Sequence, residues 1–221
     1  MEINLYLDKY KLMRYNFFKW KFETSLVNKI SLAVVFSCFI GLLSQFRFYL
    51  PGNVAVPITG QTFAVLLAGV VLGKLGVASV GMYLGAGVAG VPWFAPKVGM
   101  PIFSNGGLGA ITGATAGYLI GFLFAAIFLG YFTEKHIGYR KFSSMLPMMF
   151  FANFVLIYLP GIVVLYFWWT SFIGHIGLVE LLAIGAIPFL AGDIIKVFAV
   201  ASLSTGIIPK TAYGREVNVA K

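Results

Sequence analysis

Acidic side chains are scarce in this chain. Seven of 221 residues are Asp or Glu, and none lies between Glu23 and Glu134. A paired-carboxylate catalytic centre has nothing to draw on over that stretch. The single cysteine, Cys38, excludes an intramolecular disulfide and a cysteine-based metal site. The two histidines, His136 and His175, lie in separate loops, and no metal site is expected. Charged residues make up 10% of the chain, against about 25% in a soluble domain. Too few remain to solvate a globular surface, and 60% of residues are hydrophobic. These proportions describe an all-α integral membrane protein with one membrane domain. The net charge of +9 is scattered over loops and ends, so it is no nucleic-acid footprint.

A helix needs about 20 apolar residues to cross the hydrocarbon core. Six candidate spans stand out: Lys29–Leu50, Pro57–Gly73, Leu75–Val91, Gly109–Phe132, Leu146–Thr170 and Val179–Ile208. The second and third are short and meet at Gly73-Lys74-Leu75-Gly76. Six spans place thirteen basic residues on one side: Lys9, Lys11, Arg14, Lys19, Lys21, Lys29, Lys74, Lys135, Arg140, Lys141, Lys210, Arg215 and Lys221. Only Arg47 and Lys97 fall opposite. Basic loops stay cytoplasmic, which predicts a multi-pass protein with both termini inside. The chain then divides into a basic, aromatic cytoplasmic extension over 1–28, a membrane domain over 29–208 and a cytoplasmic tail over 209–221. The extension lacks the apolar core and cleavage site of a signal peptide. An interfacial helix, with Phe17, Phe18, Trp20 and Phe22 at the headgroups, and a loosely ordered tail are equally compatible with it.

Within the last span, Asp193 and Lys196 are the only ionisable residues between Leu181 and Ile208. A charge at membrane depth costs about 2.5–3.5 kcal/mol on insertion scales, so it usually faces a cavity or a partner. Three apart, the two share a helix face. Pro188 and Gly192 predict a broken span with Asp193 near the start of its second piece. Two structural readings stay open here: Asp193 as a helix N-cap, or a bare ion pair. Gln61, Asn105, Thr115 and Tyr118 fall at comparable depth. Trp93 and Phe94 offer pocket walls in a long Gly/Pro-rich loop, Val91–Leu108. One carboxylate, one ammonium, an amide and aromatic walls suit a small heterocycle bearing a carboxylate. Small residues spaced by four, Ala33/Ser37/Gly41, Gly69/Gly73, Gly81/Gly85 and Gly117/Gly121, mark close helix approach, mostly internal.

Two motifs mislead. Gly85-Ala86-Gly87-Val88-Ala89-Gly90 matches G-x-G-x-x-G, but it sits in an apolar helix with no acidic residue about 20 positions on. Gly73-Lys74 has Ala68 and Leu75 where a P-loop needs Gly and Ser/Thr, so the chain carries no ATPase motif.

Three stretches, in order, resemble the BioY family, the biotin-binding S component of energy-coupling-factor (ECF) transporters. Val56-Pro57-Ile58-Thr59-Gly60-Gln61-Thr62 is similar to V-P-I-T-x-Q-T. Asn105-Gly106-Gly107 through Thr115-Ala116-Gly117-Tyr118 is similar to N-G-G…G-P-[ST]-G-G-Y. Pro188 through Gly192-Asp193-Ile194-Ile195-Lys196 is similar to P-x-x-P-G-D-x-x-K. The resemblance implies a six-helix S-component fold and biotin uptake across the cell membrane. It implies that Asn105, Asp193 and Lys196 contact the ureido head of biotin, with Tyr118 and Gln61 at motif positions. It also implies partners: a transmembrane coupling subunit and two ATPase subunits, with solitary transport as a variant. The face Ala33, Ser37, Gly41 is the expected coupling-subunit contact. No cofactor is implied, biotin being the transported ligand.

The chain departs from the pattern at Ala114, Ala116 and Ala191. It also has Leu119 where some members carry a basic residue suited to the biotin carboxylate; Lys97, in the long loop, is one candidate in its place. Two other readings compete: an S component for another vitamin, and an intramembrane enzyme using Asp193. The second lacks another acid, base or metal at that depth, so the chain is read as no enzyme.

Overall fold

The computed structural model describes residues 2–50, 53, 55–214 and 216. Arg215 and Lys221, two of the basic tail residues, lie outside them. The described chain is mostly helical. Glu2–Glu23 forms α1, so the extension is a helix rather than a loose tail. Ser25 caps the next helix, α2 (Leu26–Gln45), by accepting the Asn28 N–H. A two-residue antiparallel ribbon follows, β1 (Arg47–Phe48) against β2 (Ile58–Thr59). Next come α3 (Gln61–Leu72) and α4 (Lys74–Val88). They are separated by Gly73, whose φ of +64° is open to glycine and costly for other residues.

The helix α5 (Ala116–Lys135) packs against α3 and α4. A single 31-residue apolar run, Phe142–Phe172, comprises α6 (Phe142–Phe151), a π-helical turn (Ala152–Ile157) and α7 (Tyr158–Phe172). The last run is broken as expected, into α8 (Leu178–Gly185), a 3-10 turn over Ile187–Phe189 and α9 (Leu190–Ile207). Proline at the start of the turn has no N–H to continue α8.

Four helical runs, α2, α5, α6–α7 and α8–α9, are long and apolar enough to cross a membrane. At 1.5 Å per residue, α3 and α4 are too short to do so as helix alone. The core between them includes Leu66, Tyr83, Leu129, Met149 and Val197, all fully buried.

The face Ala33/Ser37/Gly41 corrects an expectation. Ala33 and Ser37 are each 1% exposed. Ser37 Oγ donates to the Ser79 carbonyl on α4 at 2.7 Å, and Gly41 lies under the Trp93 ring. These small residues let α4 and the long loop approach α2, so they are not free to meet a coupling subunit.

The two ends of the bundle differ. The C-terminal ends of α3, α5 and α9 gather around Lys21, Arg140 and Glu216. The N-terminal ends of α3, α5 and α9 surround a cavity at the opposite end.

Candidate ligand-binding site

The cavity has a volume of about 610 Å³, within the range of about 300–1,000 Å³ that holds small ligands and cofactors. Its lining is largely apolar, with a few polar side chains among the aromatic and aliphatic ones. Gln61, Asn105, Thr115, Tyr118, Asp193, Lys196 and Phe94 all line it. Trp93 does not. Its indole N–H donates to the Tyr83 carbonyl at 2.9 Å, and its ring faces α2 across a shallow outer groove with Cys38 and Phe103. Trp168 and Phe172, at the end of α7, supply the aromatic wall instead.

Asp193 sits in the first turn of α9 and is 4% exposed. It caps nothing: the N-cap position of the helix is Phe189, and no side chain caps it. Its Oδ1 accepts from Lys196 Nζ at 2.8 Å. Its Oδ2 accepts from Tyr158 Oη at 2.7 Å and Asn153 Nδ2 at 3.3 Å. An ionised carboxylate has about four acceptor positions, and these donors fill three. The remaining position is on Oδ1, beside Lys196.

Lys196 is held as well. Its Nζ donates to the Thr59 carbonyl at 2.7 Å, where the β1–β2 ribbon passes α9. An ammonium has three N–H donors. Two are engaged among the described residues, which leaves one. An acceptor and a donor therefore stand side by side, 2.8 Å apart, each with one unused valence. A cyclic urea or lactam edge presents the complement, an N–H beside a C=O.

The other polar residues are set by the chain. Gln61 Nε2 donates to Tyr83 Oη at 2.6 Å and its Oε1 accepts from Thr59 Oγ1 at 3.0 Å. Asn105 is fixed by the Phe94 N–H on its carbonyl at 2.9 Å and by its own Nδ2 on the Ala95 carbonyl at 2.6 Å. A Cβ on Gly106 would come within 2.6 Å of the Val91 carbonyl oxygen, so only glycine lets the loop close this tightly around Asn105. The Asn105 Oδ1 accepts nothing among the described residues. Tyr118 Oη donates to the Gly185 carbonyl at 2.6 Å, so it offers a ring edge rather than a donor. Lys97 also lines the cavity, from the exposed loop. Among the lining residues Asp193 is the one acid, and Lys97 and Lys196 are the two bases.

Sequence reasoning missed Asn153 and Tyr158. They are five apart, which on an α-helix of 3.6 residues per turn places them about 140° apart. The π turn brings them together: the Tyr158 N–H reaches the Asn153 carbonyl, five residues back.

Known proteins resemble this chain in sequence and in fold. The sequence pattern of the BioY family matches residues 13–212. A probable biotin transporter BioY of Methanothermobacter thermautotrophicus is 45% identical over 157 residues, spanning 70% of this chain and 96% of the relative. The biotin transporter BioY of Rhizobium etli is 32% identical over 162 residues, spanning 71% of this chain and 80% of that one. Among solved structures, the S-component for biotin from an ECF-type ABC transporter superimposes with a TM-score of 0.68, covering 82% of this chain and 93% of that chain. At 24% identity that likeness is one of fold. The family match covers the ribbon, the Asn105 loop and the Asp193–Lys196 turn together, and on that ground the chain belongs to the BioY family.

Proposed function

We propose that this chain is the biotin-binding subunit of an ECF-type uptake system in the cell membrane. The observation that carries the reading is the paired acceptor and donor, Asp193 Oδ1 and Lys196 Nζ, each with one valence left inside a cavity of about 610 Å³. The ureido ring of biotin supplies an N–H and a C=O in adjacent positions. Asn105 Oδ1, in the same cavity, is available to the second ring N–H. The valerate carboxylate needs a cation, and Lys97 takes that role where Leu119 offers none. Gln61 and Tyr118 shape the site through Tyr83 and Gly185, and Phe94 and Thr115 complete its wall.

The chain crosses the membrane six times in this reading, with α3 and α4 completed by the ribbon and by the 89–108 loop. Both termini are cytoplasmic, because the basic end carries Lys21, Lys74, Lys135, Arg140 and Lys141. The cavity then opens outside. Uptake against a gradient requires energy that a chain without an ATPase motif does not supply. A coupling transmembrane subunit and two ATPase subunits fill that role.

The test is labelled-biotin binding to the purified chain, with Asp193→Asn, Lys196→Ala and Lys97→Gln beside it and a thermal-unfolding control on each. Asp193→Asn and Lys196→Ala are expected to weaken binding at least roughly ten-fold, about 1.4 kcal/mol. Lys97→Gln is expected to weaken biotin but not biotin amide, whose tail is neutral. A wild-type chain that fails to bind biotin at micromolar concentration sinks the reading, as does a folded Asp193→Asn variant that binds equally well. Uptake in cells with and without coupling subunits separates energised from solitary transport.

A further inference from the structure

Carboxylate orientation is a weak point of any site that reads one N–H. The Asp χ2 torsion is broad and roughly two-fold, so the carboxylate plane turns freely unless neighbours hold it. Lys196 holds only Oδ1. The other oxygen is held from a different element, by Tyr158 Oη and Asn153 Nδ2. Asn153 is fully buried and lies behind Asp193, outside the cavity lining. Its Oδ1 has no hydrogen-bond partner. A buried acceptor without a partner is destabilising, and a leucine of similar shape would not incur that cost. Asn153 lies in the π-helical turn and Tyr158 directly follows it; that rare local geometry is often found at functional sites.

We propose that Asn153 and Tyr158 are positioning residues that fix the plane of the Asp193 carboxylate and so set the selectivity of the cavity for a ring N–H. The inference rests on the reading of Asp193 as a ligand-facing acceptor. With Oδ2 occupied twice, the carboxylate cannot turn its free valence away from Lys196. An incoming N–H then meets Asp193 at one position, beside Lys196. Without the two donors, Asp193 is free to rotate, and a ligand N–H has to compete with several orientations of the acceptor.

The test uses the full-length chain purified in detergent, with Tyr158→Phe and Asn153→Leu. Each variant is titrated with biotin and with biotin methylated singly at either ureido nitrogen. The wild type is expected to reject the ligand methylated at the nitrogen that meets Asp193 by about 100-fold or more. In each variant biotin binding is expected to fall roughly ten-fold while that methylated ligand changes little, so the discrimination shrinks. Both ligands are titrated on one preparation, so any unfolded fraction cancels from the ratio. A structural role alone lowers both affinities together. An unchanged ratio in both variants overturns the inference. Failure of the wild type to bind biotin, by contrast, overturns the functional reading beneath it.

Discussion

Arg140 Nη2 donates to Glu216 Oε1 at 2.9 Å, with neither side chain more than 1% exposed. The same guanidinium donates to the carbonyls of Thr133, Glu134, Pro209 and Thr211. All five of its N–H groups are thereby used. It also lies 4.5 Å over the Tyr213 ring. One side chain thus joins the end of α5, the 136–141 connection and the segment after α9. Burial raises the Glu216 pKa, but the Tyr213 N–H, Arg140 and the Gly214 N–H outweigh it and hold the carboxyl below its ordinary value. Its contribution to stability is therefore complete above the ordinary carboxylate range and is lost as pH falls through the lowered pKa. Glu216→Gln keeps the shape and removes the charge. Thermal unfolding in detergent is expected to show a loss of about 1.5–3 kcal/mol at neutral pH. The difference from wild type should close on acidification. Biotin binding should be unaffected, since the cavity is at the other end.

Lys21 makes a second prediction at the same end. Its Nζ donates to the Val71 carbonyl at 2.9 Å and sits 4.6 Å over the Phe18 ring. Burial lowers its pKa to about 8; Glu134 and Glu216 raise it, and Arg140 lowers it further. The unfolded chain releases that proton near 10.4. Between these values the unfolded state binds more protons, so stability rises with pH across the window from about 8 to 10.4. Tyr213 opposes the rise at its upper edge. Burial raises its pKa; Arg140 acts against that, and Glu216 and Glu134 add to it. Its folded state therefore holds a proton that the unfolded chain loses above about 10. The unfolding midpoint of the wild type is expected to climb from pH 8 to 10. Lys21→Met should flatten that climb, which amounts to up to about 3 kcal/mol. A parallel climb in both proteins rules Lys21 out as its source.

Much of the site could be read before the fold. Asp193 and Lys196 stood out because nothing else in their stretch carries charge, and their three-residue spacing survives as a hydrogen bond. The division between α3 and α4 followed from the sidedness of the basic loops, which six spans satisfy, with the two short spans meeting at Gly73-Lys74-Leu75-Gly76. Other features depend on contacts that no local pattern encodes. Asn153 and Tyr158 share a face only through a π turn, and helical periodicity of 3.6 hides that relation. The extension over 2–23 has apolar residues on every side, as at Leu12, Met13, Phe18 and Phe22. What seats it is Phe18 against Tyr213, far along the chain, with ring centroids 5.2 Å apart. Ala33, Ser37 and Gly41 announced a close approach but not the neighbour, and the neighbour is internal.

That ambiguity of small residues gives a last prediction. Gly117 and Gly121 form the seam of α5 with α7 and the π turn before it: a Cβ at Gly117 would lie 2.1 Å from the Pro160 carbonyl oxygen, and one at Gly121 2.6 Å from Ile157 Cα. Backbone cannot yield as a flexible side chain can. Alanine at either site is expected to cost about 1–3 kcal/mol as overpacking. Gly81 and Gly85 have the same spacing, yet a Cβ at either meets nothing within 4 Å. Alanine there should be neutral or stabilise α4 by about 0.5–1 kcal/mol. Gly41 is intermediate, because its Cβ would press on Trp93 at 3.1 Å. Gly41→Ala should lower the unfolding midpoint of the isolated chain modestly and shift tryptophan emission. If the Ala33–Gly41 face served a coupling subunit instead, the isolated chain would keep its midpoint and only the assembled complex would weaken. Scanning calorimetry of the single subunit decides between them, because an internal contact is lost whether or not a partner is present.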